Sequence, residues 1–345
     1  MNNLLWVFLS SIAISLVLTP IIRRLAISLR FFYHPHQDSV NRKPVPLLGG
    51  LSLYLAVLIP ILWVDQLDAN TTGILIGTTL VFLLGLADDI RHISSRMQLV
   101  GIFLAASIVV GYGVKIQFFS NPFGPDMLLL QALSVPITMI WIAALTSSVK
   151  VMDGLDGLAS GICAISALAL FAVAWDNSAV YYSPAAILML ALAGACLGFL
   201  PYNFHPAKIF MGEAGVMFLG FALASISIEG LFKRSFLIAI SIPLLALGLP
   251  LFNTLFAILR RGLKRKDVLS ADRDHVHDIL LKRGVSHRQA VLTLYLISVF
   301  LGIIAFLMSK VSALIAFLIW IVLVMILFLG AWRIGLIGER YRPKD

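Results

Sequence analysis

Apolar runs long enough to cross a bilayer follow one another along almost the whole chain. A helix needs about 20 apolar residues to span ~30 Å of hydrocarbon, and lipid accepts only segments that satisfy their own backbone hydrogen bonds. The composition agrees, because 60% of the residues are hydrophobic and only 12% are charged, whereas roughly a quarter of a soluble domain is charged. The sequence therefore predicts an all-α fold, a polytopic membrane helical bundle.

The apolar runs predict about eleven transmembrane helices. They lie near residues 3–22, 47–64, 70–87, 98–115, 130–150, 157–175, 180–200, 213–229, 235–258, 289–308 and 311–333. The first run has its charges behind it and no small-residue cleavage site, so we interpret it as a retained span and not as a signal peptide.

Basic residues predict the orientation, since cytoplasmic loops carry an excess of Lys and Arg. Of the 26 basic residues, only Lys115, Lys233, Arg234 and Lys310 follow even-numbered spans. An odd number of spans places the termini on opposite faces. We therefore predict an outside N-terminus, a cytoplasmic C-terminus, and a single integral-membrane domain over residues 1–345.

Two carboxylates, Asp153 and Asp156, lie among glycines directly before the apolar run that ends at Trp175. If a helix starts near Asp153, their i, i+3 spacing places both side chains on one face. Free N–H groups at a helix N-terminus suit a phosphate, and acids beside a phosphate make sense with a divalent cation between them. For this loop alone, two turn aspartates in solvated positions would be the simpler interpretation.

Four further polar stretches on the same side of the membrane favour a functional site. The five cytoplasmic loops lie near residues 33–46, 88–98, 146–156, 201–213 and 259–288. In the second loop, Asp88 and Asp89 repel each other and oppose the helix dipole unless a cation is bound, which favours function. In the fifth, His275 and His277 form either a surface pair or a clamp on phosphate or metal. The basic residues of that loop also suit anionic lipid headgroups.

The motifs of these loops, taken in order, carry a family resemblance. They are Lys43-Pro44-Val45-Pro46 with Gly49-Gly50, Gly85-Leu86-Ala87-Asp88-Asp89, Asp153-Gly154-Leu155-Asp156-Gly157-Leu158-Ala159, the run from Tyr202 to Gly215, and Asp272-Arg273-Asp274-His275-Val276-His277. Over about residues 1–300 the chain resembles the polyprenyl-phosphate N-acetylhexosamine-1-phosphate transferases. The family includes the phospho-N-acetylmuramoyl-pentapeptide transferase of peptidoglycan, but the basic fifth loop is more similar to the N-acetylglucosamine branch.

The resemblance implies transfer of a sugar-1-phosphate, above all GlcNAc-1-phosphate, from a UDP-sugar to undecaprenyl phosphate. UMP would be released, Mg²⁺ or alternatively Mn²⁺ would be the cofactor, and the enzyme would lie in the bacterial cytoplasmic (inner) membrane. Membrane lipids are further partners, nucleic acid is not, and a homodimer is left open. By position the resemblance implies catalytic roles for Asp88, Asp89, Asp153, Asp156, His275 and His277, substrate contacts for Lys43, Asn203, Lys208, Phe210 and Arg273, and metal ligation by Asp89 and Glu213.

The chain also departs from the family's pattern at several positions. Ser147 and Lys150 stand for the asparagines of an Asn-x-x-Asn motif, Glu213 for a metal-ligating Asp, Val216 for a Ser, Asn253 for an Asp, Asp278 for a His, and His92 for an acid. These changes keep open a catalytically impaired relative that binds lipid phosphate or nucleotide-sugar. A transporter is a weaker alternative, because it would place ionisable groups near the middle of discontinuous helices.

Overall fold

α-Helices make up most of the structure, a computed structural model that describes residues 2–33, 44–64, 68–120, 127–175, 184–231, 244, 247–263 and 275–333. Within these residues the helices are α1 (Asn2–Ser28), α2 (Gly49–Leu62), α3 (Ala69–Arg91), α4 (Ser95–Gly111), α5 (Ser134–Met152), α6 (Leu158–Trp175), α7 (Pro184–Asn203), α8 (Gly212–Leu231), α9 (Gly248–Leu263), α10 (Val276–Lys282), α11 (His287–Met308) and α12 (Ala313–Arg333). The predicted helical fold class is thus observed.

Two short antiparallel strand pairs lie in the connections between helices. β1 (Phe32–Tyr33) pairs with β2 (Val45–Pro46), and β3 (Phe118–Ser120) pairs with β4 (Met127–Leu129). The first pair continues into the site, because Phe210 N donates to Pro46 O at 2.9 Å. It therefore ties the connection after α1 to the connection after α7.

Seven of the described helices are long and apolar enough to cross a membrane, namely α1, α3, α5, α6, α7, α8 and α11. Shorter apolar helices occur at Gly49–Leu62, Ser95–Gly111 and Leu314–Ile326. The chain is a multi-pass membrane protein. The count of eleven and the orientation stay predictions, and the first half of the predicted 235–258 span lies largely outside the described residues.

Several helix boundaries differ by a few residues from the predicted spans. α1 continues to Ser28 and so carries Arg23 and Arg24, which the predicted span left outside. α9 runs on to Leu263, past the predicted end at 258. The α6 helix starts at Leu158, in agreement with the predicted span 157–175 and not near Asp153, because residues 153–157 form turns that end at Gly157 with a positive φ of 79°.

The centre of the bundle is α8, whose spanning segment is 83% buried, while that of α1 is only 28% buried. Small residues let the helices approach closely, as they do in membrane interfaces generally. On α7, a Cβ at Gly194 would lie 2.6 Å from Phe8 O, and one at Gly198 would lie 2.5 Å from Ile12 O. The α1–α7 contact therefore depends on the absence of side chains at both glycines.

Glycines also hold the site end of α8 against α2 and α3. A Cβ at Gly50 would lie 2.6 Å from the Cα of Gly215, and a Cβ at Gly85 would lie 2.6 Å from the Cα of Ala214. Because Asp89 follows Gly85 by four residues, it lies on the same face of α3. This packing brings the Asp89 carboxylate to the first turn of α8.

Candidate active site

The predicted site residues that the structure describes lie at helix ends on one side of the bundle. Asp88 and Asp89 are in the last turns of α3, Asp153 ends α5, and Glu213 begins α8. Lys43 and Arg273 lie outside the described residues. The structure thus brings the second, third and fourth predicted loops together, with part of the fifth.

Asp89 occupies the N-terminus of α8. Its Oδ1 accepts from Glu213 N at 2.8 Å and its Oδ2 accepts from Ala214 N at 3.1 Å. These N–H groups have no partner within the helix, and the helix dipole favours a negative charge here. The anion-favouring N-terminus of α8 is therefore already occupied by a carboxylate of the protein.

Asp88 is buried, with 6% of its surface exposed, and it is fixed by the turn that follows α3. Ile93 N donates to its Oδ1, and Gln98 Nε2 donates to its Oδ2 at 2.8 Å. Gln98 is buried too, and its Nε2 also donates to Ile93 O at 2.9 Å. Asp88 is therefore held rigidly, as a buried charge requires.

Lys150 links the second loop to α8. Its Nζ donates to Gln98 Oε1, lies 3.0 Å from Glu213 Oε2, and lies 4.0 Å from Asp88 Oδ2. Among the described residues no hydrogen-bond donor is aligned with Glu213 Oε2, so the contact with Lys150 is an ion pair without hydrogen-bond geometry. One ammonium therefore lies among the acids at this end of the bundle. We call these acids, Asp88, Asp89, Asp153, Asp156 and Glu213, the acidic cluster.

Asp153 and Asp156 have different environments although only two residues separate them. Asp153 keeps an exposed surface, and no described residue donates a hydrogen bond to its carboxylate. Partial loss of hydration, and then repulsion from Glu213, Asp156 and Asp89, raises the pKa of Asp153 to about 7. The two side chains therefore do not share one face of a helix, as a helix starting near Asp153 would have required. Both residues lie in a turn, in which Asp156 is 3% exposed.

Asp156 holds the connection after α7. Its Oδ2 accepts from Ala207 N at 3.1 Å and shares a hydrogen bond of 2.8 Å with His205 Nδ1. The ring of His287 stacks on that of His205, with centroids 4.0 Å apart and planes inclined by 18°. Ligand atoms of all three residues lie within 4.8 Å of one another. Asp156 Oδ2 is already hydrogen-bonded to Ala207 N and to His205, so the structure shows these residues as a hydrogen-bonded support of the connection.

The two histidines of the fifth loop begin α10. His275 is its N-cap, and the two rings stack with centroids 5.6 Å apart. Asp278 Oδ2 accepts from His275 N at 3.1 Å, and Asn253 Oδ1 accepts from Val276 N at 3.0 Å. Two departures from the family's pattern therefore stabilise the start of α10.

His277 packs directly on the Asp153–Asp156 turn. A Cβ at Gly154 would collide with its ring, so this glycine is required for the contact. Burial and then the nearby His287 lower the pKa of His277 to about 4. The imidazole is therefore neutral at physiological pH, and it contacts the turn without adding a positive charge.

Asn203 and Phe210 bracket the connection that carries His205. Asn203 is 3% exposed, its Nδ2 donates to Ile209 O at 3.1 Å, and its Oδ1 accepts from Ser160 Oγ at 3.0 Å. Phe210 is half-buried and meets Tyr33 edge to face at 5.6 Å. In this structure the Asn203 amide is used inside the protein, while the Phe210 ring keeps an open side.

Lys208 lies apart from the carboxylates. Its side chain is exposed and lines a cavity of about 480 Å³ whose other walls include His205, Phe204 and Leu200. Its backbone carbonyl accepts from Arg23 Nε at 3.0 Å. The walls are mostly apolar, so this cavity suits a group that combines an apolar part with a negative charge.

The divalent ion implied by the resemblance does not fit the predicted ligand pair Asp89 and Glu213. Both oxygens of Asp89 accept a backbone hydrogen bond, which leaves one lone pair on each for an ion. Glu213 faces the ammonium of Lys150 at 3.0 Å. A divalent ion bound there would lie close to a positive charge, which disfavours it.

Comparison with known proteins places this geometry in context. Residues 71–231, which contain the acidic cluster, match the sequence profile of glycosyl transferase family 4. The chain is 34% identical over 337 residues to a probable undecaprenyl-phosphate N-acetylglucosaminyl 1-phosphate transferase of Bacillus subtilis, covering 97% of this chain and 93% of that protein. This chain belongs to the same family of polyprenyl-phosphate N-acetylglucosamine-1-phosphate transferases.

Two further relatives show the breadth of the family. A decaprenyl-phosphate N-acetylglucosaminephosphotransferase of Mycolicibacterium smegmatis is 35% identical, over 89% of this chain and 81% of that protein. A phospho-N-acetylmuramoyl-pentapeptide-transferase of Clostridium botulinum is 32% identical, over 64% of this chain and 72% of that protein. The N-acetylglucosamine relatives thus cover more of the chain, in agreement with the branch that the fifth loop suggested.

Sequence reasoning did not assign site roles to four residues that the structure places in or around the cluster. They are Gln98, His205, Asn253 and His287. For Lys150 the sequence left two roles open, neutralising a neighbouring carboxylate or contacting a phosphate, and the structure places its ammonium beside Glu213. The packing of His287 on His205 joins residues far apart in the chain, and no local pattern indicates it.

Proposed function

We propose that this chain transfers GlcNAc-1-phosphate from UDP-GlcNAc to undecaprenyl phosphate and releases UMP. The convergence of Asp88, Asp89, Asp153, Asp156 and Glu213 at one end of the bundle carries the proposal, together with the relationship to enzymes of this name. The reaction would take place on the cytoplasmic side of the bacterial inner membrane, within a single domain, as the distribution of basic residues predicts. The homodimer stays a prediction.

The reaction is a displacement at phosphorus. An oxygen of the lipid phosphate attacks the phosphorus attached to the sugar, the bond to the UMP oxygen breaks, and a lipid diphosphate sugar forms. Both substrates are anionic, so catalysis depends on aligning them and on neutralising their charge. The polyprenyl chain stays in the lipid, which explains a catalyst built from membrane helices.

The described residues divide this work. Asp153 is the exposed carboxylate of the cluster, and a pKa of about 7 suits a group that accepts a proton from the attacking phosphate. Lys150 supplies positive charge between Asp88 and Glu213. Asp88, Asp89 and Asp156 act by position, because each is hydrogen-bonded to backbone N–H groups that fix neighbouring connections.

The remaining predicted contacts are kept as proposals. Phe210 would stack on the uracil with its open side, and Asn203 would hold the connection that presents it. His275 and His277 would face the diphosphate from α10, and Lys208, Lys43 and Arg273 would contact substrate phosphates. Mg²⁺ or Mn²⁺ could still arrive with the nucleotide, and its place would then differ from the predicted Asp89 and Glu213 pair.

The test is incubation of the purified protein with undecaprenyl phosphate and single UDP-sugars, with UMP release as the readout. UDP-GlcNAc should give the highest rate, and Asp153→Asn should lower it by several orders of magnitude. Asp68→Asn is the matched control, because Asp68 caps the far end of α3 and Asn caps equally well. Absence of UMP release with every sugar would favour the impaired relative, which the lysine inside the acidic cluster also supports.

A further inference from the structure

Two departures from the family's pattern are in direct contact. Lys150 stands where the Asn-x-x-Asn motif has a neutral amide, and Glu213 stands where the family has the shorter Asp. Lys150 Nζ lies 3.0 Å from Glu213 Oε2, although the residues are far apart in the chain. The positive charge of Lys150 therefore lies inside the acidic cluster, next to the side chain of Glu213, which is one methylene longer than that of Asp.

The position of the ammonium resembles that of a bound cation. Of its three N–H donors, one bonds Gln98 Oε1, which belongs to the side chain that also donates to Asp88. Glu213 Oε2 is within ion-pair distance, and Asp88 Oδ2 lies at 4.0 Å. The Lys150 side chain is 31% exposed, so its charge is held inside the cluster and not free in solvent.

We propose that the Lys150 ammonium is a built-in cation that takes the place of a divalent ion between Asp88 and Glu213. The free protein then has no affinity for Mg²⁺ or Mn²⁺ at this position. The extra methylene of Glu213 lets its carboxylate reach the ammonium. The inference rests on the proposed function only in locating the site, since it concerns metal binding without substrate.

Mn²⁺ binding to the chelator-treated, substrate-free protein tests the proposal, measured by electron paramagnetic resonance and by the shift in thermal unfolding. Wild type should bind no ion at the cluster and show no saturable shift. Lys150→Asn removes a like charge from the position and should bind Mn²⁺ saturably, roughly ten- to a thousandfold more tightly than the detection limit that wild type does not reach. Lys150→Asn combined with Glu213→Asp should bind at least as tightly.

Two controls keep the result interpretable. Lys115→Asn removes an exposed lysine from the other end of the bundle and should behave as wild type. Lys150→Gln keeps a longer side chain in case the Asn variant fails to fold, and it should also gain affinity. Competition by Mg²⁺ should follow the same order.

Tight Mn²⁺ binding by wild type, unchanged in the Lys150 variants, would overturn the proposal. So would variants that gain no affinity, because the lysine would then not be what keeps the ion away. UMP release is scored separately. A protein that releases no UMP but gains Mn²⁺ affinity on losing Lys150 would refute the proposed function and leave this inference standing.

Discussion

Asp89 and Asp153 are both predicted catalytic acids, but the structure predicts that only the replacement of Asp89 lowers stability. Asp89 accepts hydrogen bonds of 2.8 and 3.1 Å from the first N–H groups of α8. Asp153 is exposed and accepts none from a described residue. Replacing each by Asn therefore separates a carboxylate that holds a helix from one that is free to act on substrate.

The contacts of each carboxylate give the expected change in folding stability. A hydrogen bond to a charged group contributes about 1.5–3 kcal/mol, and loss of an N-cap side chain costs about 0.5–2 kcal/mol. These estimates describe the same interaction and are not added, so Asp89→Ala should cost about 1–3 kcal/mol. Asp89→Asn keeps one acceptor oxygen and should cost about half as much. Asp153→Asn should leave stability unchanged or raise it, because the raised pKa of Asp153 means that its ionised carboxylate is disfavoured in the folded state.

Thermal unfolding in detergent, followed by tryptophan fluorescence, measures these differences, and UMP release measures activity. We expect Asp89→Asn to unfold several degrees lower than wild type, with Asp89→Ala lower still. Asp153→Asn should lose activity at an unfolding temperature no lower than that of wild type. An Asp89→Ala variant as stable as wild type would refute the capping role, as would a large loss of stability in Asp153→Asn.

Three further outcomes are expected. Gly212→Ala should cost about 1–3 kcal/mol of stability, because φ is +70° and a Cβ would lie 2.5 Å from Asp89 Oδ2. Gly284→Ala is the control, because Gly284 has a φ of +84° but open space around it, so its replacement measures the backbone strain alone. His277 has a folded pKa of about 4, below its unfolded value near 6.5, so protonation favours the unfolded chain. Stability should fall by up to about 3 kcal/mol as pH drops from about 6.5 to 4, and His277→Asn should remove that dependence in pH-dependent unfolding. A cysteine replacing Lys282 should be shielded from impermeant reagents in intact cells and one replacing Lys115 should react; equal labelling would contradict the orientation.

The helical class and the grouping of the loops could be predicted because both depend on local properties. Apolar length identifies spanning helices, and the bias of basic residues assigns connections to one side. Asp88, Asp153 and Glu213 meet because α3, α5 and α8 end or begin on that side. No knowledge of helix packing is needed for that conclusion.

The partner of each acid could not be predicted, since it depends on which helices touch and how closely. Asp89 reaches α8 because Gly85 allows close approach to Ala214, and no periodicity in either helix indicates this pairing. The same holds for Asp156 with His205. Asp153 and Asp156 do not share a helical face for a local reason. Gly157, at a positive φ, ends the turn that contains them, and the helix begins only at Leu158.

The contacts also explain how the chain can depart from its family's pattern without losing the architecture of the site. Asp89 is held by the backbone N–H groups of Glu213 and Ala214, so exchanging Asp for Glu at position 213 leaves this contact intact. The close approach of α8 to α2 depends on Gly50 and Gly215 and not on Val216. In this chain Lys150 thus supplies positive charge beside Asp88 and Glu213, while the contacts of Asp89 do not depend on which acid stands at position 213.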